Sequence, residues 1–239
     1  MTALSASPFQ STEFTPSGFG VTVPGPEVDE PIEAEEVERL LNNGKPSLRL
    51  PEPLEKAFIT DEGPQRLRTM LISGVLVAFM FNWLLVSDWL LVPDQFDLAL
   101  RLRLFLFTPG ILVGVFLLTR LASAAMREWL LIFPATVACA MNAWLCMSST
   151  DPMAGPYLSS LATIAMFSNS VVRMRFAPAA VLDAIIIALF VGAAINMPAN
   201  LAPILIPAGL LLVCTIVFTL YGCYCQERDD RLNWLLHLR

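Results

Sequence analysis

Hydrophobic positions in this chain come in long blocks, not in alternation. From Thr69 onward, apolar runs of roughly 16–24 residues recur at 69–92, 104–119, 128–147, 156–172, 177–197 and 201–224. About 20 apolar residues in an α-helix cover the hydrocarbon core of a bilayer. The breaks between runs carry Pro, Asp, Asn and Arg: "VPDQFD", "TRLASAAMRE", "SSTDPMAGP", "RMRFAP" and "NMPAN". A membrane β-barrel would need shorter segments of alternating polarity, and nothing here alternates. The pattern predicts an all-α integral membrane protein with six transmembrane helices, the second and fourth short enough to draw on their flanks.

Upstream, residues 1–31 are rich in Ser, Thr, Pro and Gly and read as disordered. "IEAEEVERLLNN" at 32–43 reads as a short amphipathic helix stopped by Gly44, and "LRLPEPLEKAF" at 48–58 as a Pro-broken segment near the membrane surface. Three parts follow: an acidic, largely disordered region over 1–65, a six-helix domain over 66–224, and an amphipathic helix over 225–239. No basic segment followed by an apolar run opens the chain, so no signal peptide is expected.

Composition agrees with this reading. The chain has 239 residues, 56% of them hydrophobic and only 15% charged, against roughly a quarter charged in soluble domains; mean hydropathy is +0.63. The net charge of -6 comes largely from Glu27, Asp29, Glu30, Glu33, Glu35, Glu36 and Glu38. Nothing favours a nucleic-acid partner, and the bilayer is the partner expected. The five cysteines, Cys139, Cys146, Cys214, Cys223 and Cys225, show no disulfide framework and read as free thiols. Lys and Arg set the orientation. With six crossings and both termini cytoplasmic, ten basic residues (Lys56, Arg66, Arg68, Arg120, Arg127, Arg173, Arg175, Arg228, Arg231, Arg239) fall inside and two (Arg101, Arg103) outside. The short outer loops leave no room for an extracellular binding domain.

Catalytic chemistry is not visible. His237 is the only histidine, no phosphate-cradling glycine loop or HExxH occurs, and Cys223, Cys225 and His237 lack the spacing of a metal site. No catalytic residue, metal or cofactor is expected of this chain. Polar residues inside the crossings are more informative because burying them in lipid is costly. These are Asn82, Asp88, Asn142, Asn169 and Asp183. Asp88 is placed within reach of Arg101 or Arg103, and Asp183 about 12 Å beyond Arg175 along a helix, within reach of that long side chain. They read either as interhelical hydrogen bonds or as a signal pocket between helices. "GILVG" (Gly110 to Gly114) fits a small-xxx-small helix contact and would serve a homodimer. A small transporter and a partner-binding membrane protein are the alternatives. A transporter would be expected to show mid-membrane charges and an internal repeat, and no repeat is evident.

The last run, "LLLVCTIVFTLYGCYC", passes into "QERDDRLNWLLHLR" without a helix breaker after Gly222. Leu232, Leu235 and Leu236 form an apolar stripe, and Glu227 and Arg231 are spaced to pair at i, i+4. The stripe suits a partner helix in a parallel dimer or a position on the membrane surface with Trp234 at the headgroups.

Five segments carry a resemblance: "LPEPLEKAF" with Arg66 and Arg68, "FNWLLVSDWLLVPD" at 81–94, "LRLRLFLFTP" at 100–109, "MFSNSVVRMRF" at 166–176 and "YGCYCQERDDRLNWLLHLR" at 221–239. In this order they resemble the N-terminal membrane region of bacterial membrane-bound diguanylate cyclases, over about residues 48–239. The resemblance implies a sensory or anchoring input module in the bacterial inner membrane, acting in cyclic-di-GMP signalling. The exit helix, with Glu227, Arg231, Leu232, Leu235 and Leu236, would pass the signal on. In that family a C-terminal domain with a Gly-Gly-Asp/Glu-Glu-Phe motif binds GTP and magnesium and makes cyclic di-GMP. This chain has no such motif, so no cyclase residue carries over, and a fragment or a relative without the output domain is expected.

Overall fold

A computed structural model describes residues 38–40, 48–121 and 123–238. Glu38–Leu40 are helical. The expected disorder over 1–31 and the rest of the helix expected over 32–43 lie outside the described residues.

The first helix, α1, spans Glu52–Trp83, earlier than the apolar pattern indicates. Proline explains this. Pro51 precedes the helix and Pro53 sits in its first turn, where a missing N–H costs nothing. Glu52 and Glu55 complement the positive end of the helix dipole. The segment read as Pro-broken is therefore a helix start. A turn at Leu84 leads into α2 (Leu85–Leu91). A short 3-10 turn (Pro93–Gln95) opens the second hydrophobic helix, which runs as α3 (Phe96–Arg101), a π-helical stretch (Leu102–Phe107) and α4 (Thr108–Arg120). Next come α5 (Ala124–Leu130) and α6 (Ile132–Ser148), then α7 (Ala154–Tyr157) and α8 (Ser160–Ser170). The chain finishes with α9 (Phe176–Asn196) and α10 (Ala202–His237). No strand occurs among the described residues.

Among the described residues, five helical stretches are long and apolar enough to cross a membrane: Glu52–Leu91, Pro93–Arg120, Ala124–Ser148, Phe176–Asn196 and Ala202–His237. The run at 156–172 is divided between α7 and α8, whose 11 residues extend only about 16 Å at 1.5 Å per residue. Large apolar side chains cover the outward faces, with Phe105 78%, Ile195 77% and Phe218 75% exposed. Exposure on this scale belongs in lipid, not water.

The main core lies between α6, α8, α9 and α10 and includes Leu158, Leu161, Ala165, Leu182 and Ile186. A second cluster, Phe81, Phe107, Ile111, Ala138 and Met141, joins α1, α4 and α6. A third lies at the N-terminal end of α1, where Leu50, Leu54 and Phe58 meet Trp234 and Leu235 of α10.

Close helix approach falls at a glycine the sequence did not single out. A Cβ on Gly74 of α1 would lie 2.6 Å from Cγ2 of Val115 on α4. At Gly110 and Gly114 of "GILVG" a Cβ would meet nothing within 4 Å. Gly74→Ala is therefore expected to destabilise the protein by about 1–3 kcal/mol, because Val115 is branched and stiff and the helices must part. Gly114→Ala, gaining helix propensity in open space, should be neutral or mildly stabilising. Thermal unfolding of the two variants in the same detergent compares them directly.

Candidate functional site

The polar residues of the hydrophobic segments gather in two groups. The first group centres on Arg103, at the second residue of the π-helical stretch. Widened π turns are frequent at functional positions. Arg103 and Asp88 are both 0% exposed. The Arg103 Nε donates to Asp88 Oδ2 at 2.6 Å and Nη2 donates to Asp88 Oδ1 at 3.0 Å, a bidentate pair. Nη1 donates to the Phe81 carbonyl (2.8 Å), and Nη2 is shared further with Asn142 Oδ1 (3.1 Å) and the Tyr157 hydroxyl oxygen (2.9 Å). Tyr157 donates in turn to Asp88, and Asn142 Nδ2 donates to Ser160 Oγ at 3.4 Å. The Phe81 ring lies 4.1 Å from the guanidinium carbon. One arginine thus ties α1, α2, α6 and α7 to the π-helical stretch. Of the two arginines expected near Asp88, Arg103 is the partner, while Arg101 is exposed. Asn82 stands beside this group: its Nδ2 donates to Thr108 Oγ1 at 2.9 Å, and Thr108 donates to the Arg103 carbonyl at 2.7 Å.

The second group is Asn169 on α8, Asp183 on α9 and Thr219 on α10. Asn169 Nδ2 donates to Asp183 Oδ2 and to Thr219 Oγ1, both at 2.9 Å. Arg175 does not serve Asp183. Its Nε lies 3.5 Å from Glu128 Oε1 on α5. Eight residues at 3.6 per turn rotate a side chain about 80° off the starting face, which points Asp183 at α8.

A third polar assembly joins α10 to α1 at the end of the bundle that carries Arg66, Arg173 and Arg231. The Arg231 side chain is nearly covered. Its Nη2 donates to Glu55 Oε1 at 2.9 Å and its Nη1 to Glu227 Oε1 at 2.9 Å. Glu227 Oε2 accepts from the Phe176 backbone N–H at 2.8 Å, at the start of α9. Trp234 packs edge-on against Phe58, with ring centroids 5.6 Å apart, and its indole N–H donates to Asp61 Oδ2 at 3.0 Å. Arg66 pairs with Glu128, and Arg173 lies 3.7 Å from Asp230. The stripe expected to face a partner is thus partly covered by the chain itself. Leu235 is buried against α1 and Leu232 is half-buried, while Leu236 is 49% exposed. Trp234, for which a position at the headgroups is one of the two sequence readings, is part of this clasp.

An apolar cavity of about 150 Å³ lies between α1, α4, α6 and α8, lined by Gly74, Phe81, Ile111, Gly114, Ala138 and Ile164 among others. None of the five polar candidates lines it. Among the described residues no cluster of three or more His, Cys, Asp or Glu is placed to hold a metal. No protein-family model, curated protein or solved structure matches this chain.

Proposed function

We propose that this chain is a membrane-embedded input module of a signalling protein, with α10 as its transmission element. The carrying observation is the unbroken course of α10 over Ala202–His237. Its 36 residues extend about 54 Å, roughly 24 Å more than a hydrocarbon core of about 30 Å requires. Inside the bundle α10 touches Asn169 through Thr219, and at its far end Arg231 and Trp234 hold Glu55, Phe58 and Asp61 of α1. A change in helix packing within the membrane can therefore move the clasp as a unit.

The proposal includes a sixth crossing over 156–172, both termini on the cytoplasmic side and a bacterial inner-membrane location. Arg66, Arg173, Arg175 and Arg231 gather at one end of the bundle, which supports that orientation under the positive-inside rule. The output class, synthesis of cyclic di-GMP by a cyclase domain that holds GTP and magnesium, rests on the sequence resemblance. Such cyclases work as pairs of domains, so the module acts as a homodimer that sets domain spacing by population shift.

The test is a fusion of a GGDEF cyclase domain after Arg239. Arg231→Ala, or two residues inserted after Gln226, is expected to change cyclic-di-GMP output by about fivefold or more, the size of an ordinary coupling energy. Unchanged output from both, at equal membrane abundance, would sink the proposal.

A further inference from the structure

The hydrogen bonds around Asp183 are one donor short. Asn169 and Asp183 are 1% and 2% exposed. Each keeps one side-chain oxygen, Asn169 Oδ1 and Asp183 Oδ1, without a hydrogen-bond partner, where buried polar atoms are almost always paired. The neighbouring donors are already committed. Both Asn169 Nδ2 protons are used, on Asp183 Oδ2 and on Thr219 Oγ1. The Thr219 hydroxyl donates to the Thr215 carbonyl at 2.8 Å, which leaves its oxygen only an acceptor role toward Asn169 and so fixes the orientation of the amide. The Cys223 thiol donates to the Asn169 backbone carbonyl at 3.4 Å. The titratable groups that face Asp183 from the packed helices are the thiols of Cys139 on α6 and Cys223 on α10. Arg175 is held by Glu128.

We infer that Asp183 is a membrane-embedded proton-binding site: one proton on its Oδ1, donated to the Asn169 Oδ1, completes a two-bond acid–amide pair between α8 and α9. The step is the simple addition of H⁺ to a carboxylate, and it satisfies both unpaired oxygens at once. A hard metal cation would need about six oxygen ligands, and two free side-chain oxygens do not make such a cage. A bare carboxylate would be a buried charge without a cation beside it. Proton release removes one of the two bonds and leaves that charge at the α8–α9 contact, next to Thr219 of α10.

Infrared spectroscopy of the full chain in lipid vesicles tests this across pH and in heavy water. The expected result is a protonated-carboxyl C=O band at neutral pH that is sensitive to deuteration. The band is lost in Asp183→Asn, shifts in Asn169→Leu and persists in Asp94→Asn, which changes an exposed carboxylate that accepts from Ser149 and Thr150 outside this group. On the unmodified chain, an apolar carbodiimide, which adds to protonated carboxyls, should label Asp183 at neutral pH and lose that labelling under alkaline conditions. A neutral-pH spectrum with no Asp183-dependent band, together with no adduct on Asp183, overturns the inference. A band abolished by adding sodium at fixed pH overturns it in favour of a cation site. Should Asp183→Asn fail to insert, the labelling of the unmodified chain decides alone.

Discussion

Replacing Arg103 by leucine lowers the stability of the helix bundle by about 3–5 kcal/mol, the usual cost of removing one member of a buried ion pair. The reason is what stays behind. Asp88 is fully covered and would retain only the Tyr157 hydroxyl among its described side-chain donors. Phe81 O and Asn142 Oδ1 would lose their Arg103 donor as well. Removing both charges is different. The double variant Asp88→Leu, Arg103→Leu strands no charge, so it should be clearly less damaged than the sum of the single changes, and a double-mutant cycle should give a coupling of about 1–3 kcal/mol. Arg103→Lys should recover little, because an ammonium cannot make the bidentate contact and still reach Phe81, Asn142 and Tyr157. Denaturant unfolding in one detergent, followed through the tryptophans, measures the unmodified protein, the two single leucine variants, the double variant and Arg103→Lys. Arg103→Leu matching the unmodified protein would show that the cluster does not hold the fold.

Much of this cluster can be read from the sequence. Asp88 and the arginines at 101 and 103 stand on either side of a short break, and a charge inside an apolar run needs a partner. The choice between Arg101 and Arg103 was not legible. It depends on the π-helical stretch at Leu102–Phe107, and one extra residue in a turn alters which side chain faces inward. Tyr157 was missed for a related reason. It lies beside a Gly–Pro break, where periodicity gives no face, and only the packing of α7 on α6 and α10 brings its hydroxyl to Asp88 and Arg103.

At the α10 end the opposite happened. The i, i+4 pairing of Glu227 with Arg231 is local geometry, and it forms at 2.9 Å. The partner of the stripe is not local. Glu55 and Asp61 lie more than 170 residues from Arg231 and Trp234 in sequence, and Glu55 sits in the 48–58 segment, whose prolines read as a break. Once Pro53 is seen as a first-turn residue, α1 extends far enough to meet α10, and the covering of Trp234 follows. The early helix start is thus the fact that turns a free stripe into an internal contact.

That contact gives the second large effect. Trp234→Ala removes a buried indole from the edge of Phe58 and strands Asp61, and large-to-small changes at buried aromatic positions cost about 3–5 kcal/mol. Here the loss should be local. Trp234 touches α1 near its N-terminal end, while the Arg103 cluster lies at the other end of the hydrophobic helices, so the two sites share no partner and their effects should add. Backbone amides over 226–238 are expected to lose hydrogen-exchange protection and to become open to protease, while those around Arg103 keep theirs. Trp234→Phe keeps most of the ring contact and loses the indole N–H to Asp61, worth about 0.5–1.5 kcal/mol, so it should fall between the unmodified protein and Trp234→Ala. Hydrogen exchange read by mass spectrometry in vesicles resolves the two regions. Equal protection over 226–238 in Trp234→Ala and the unmodified chain would mean that α10 is held by the bundle alone. In that case the clasp could not carry a signal from one helix to the other.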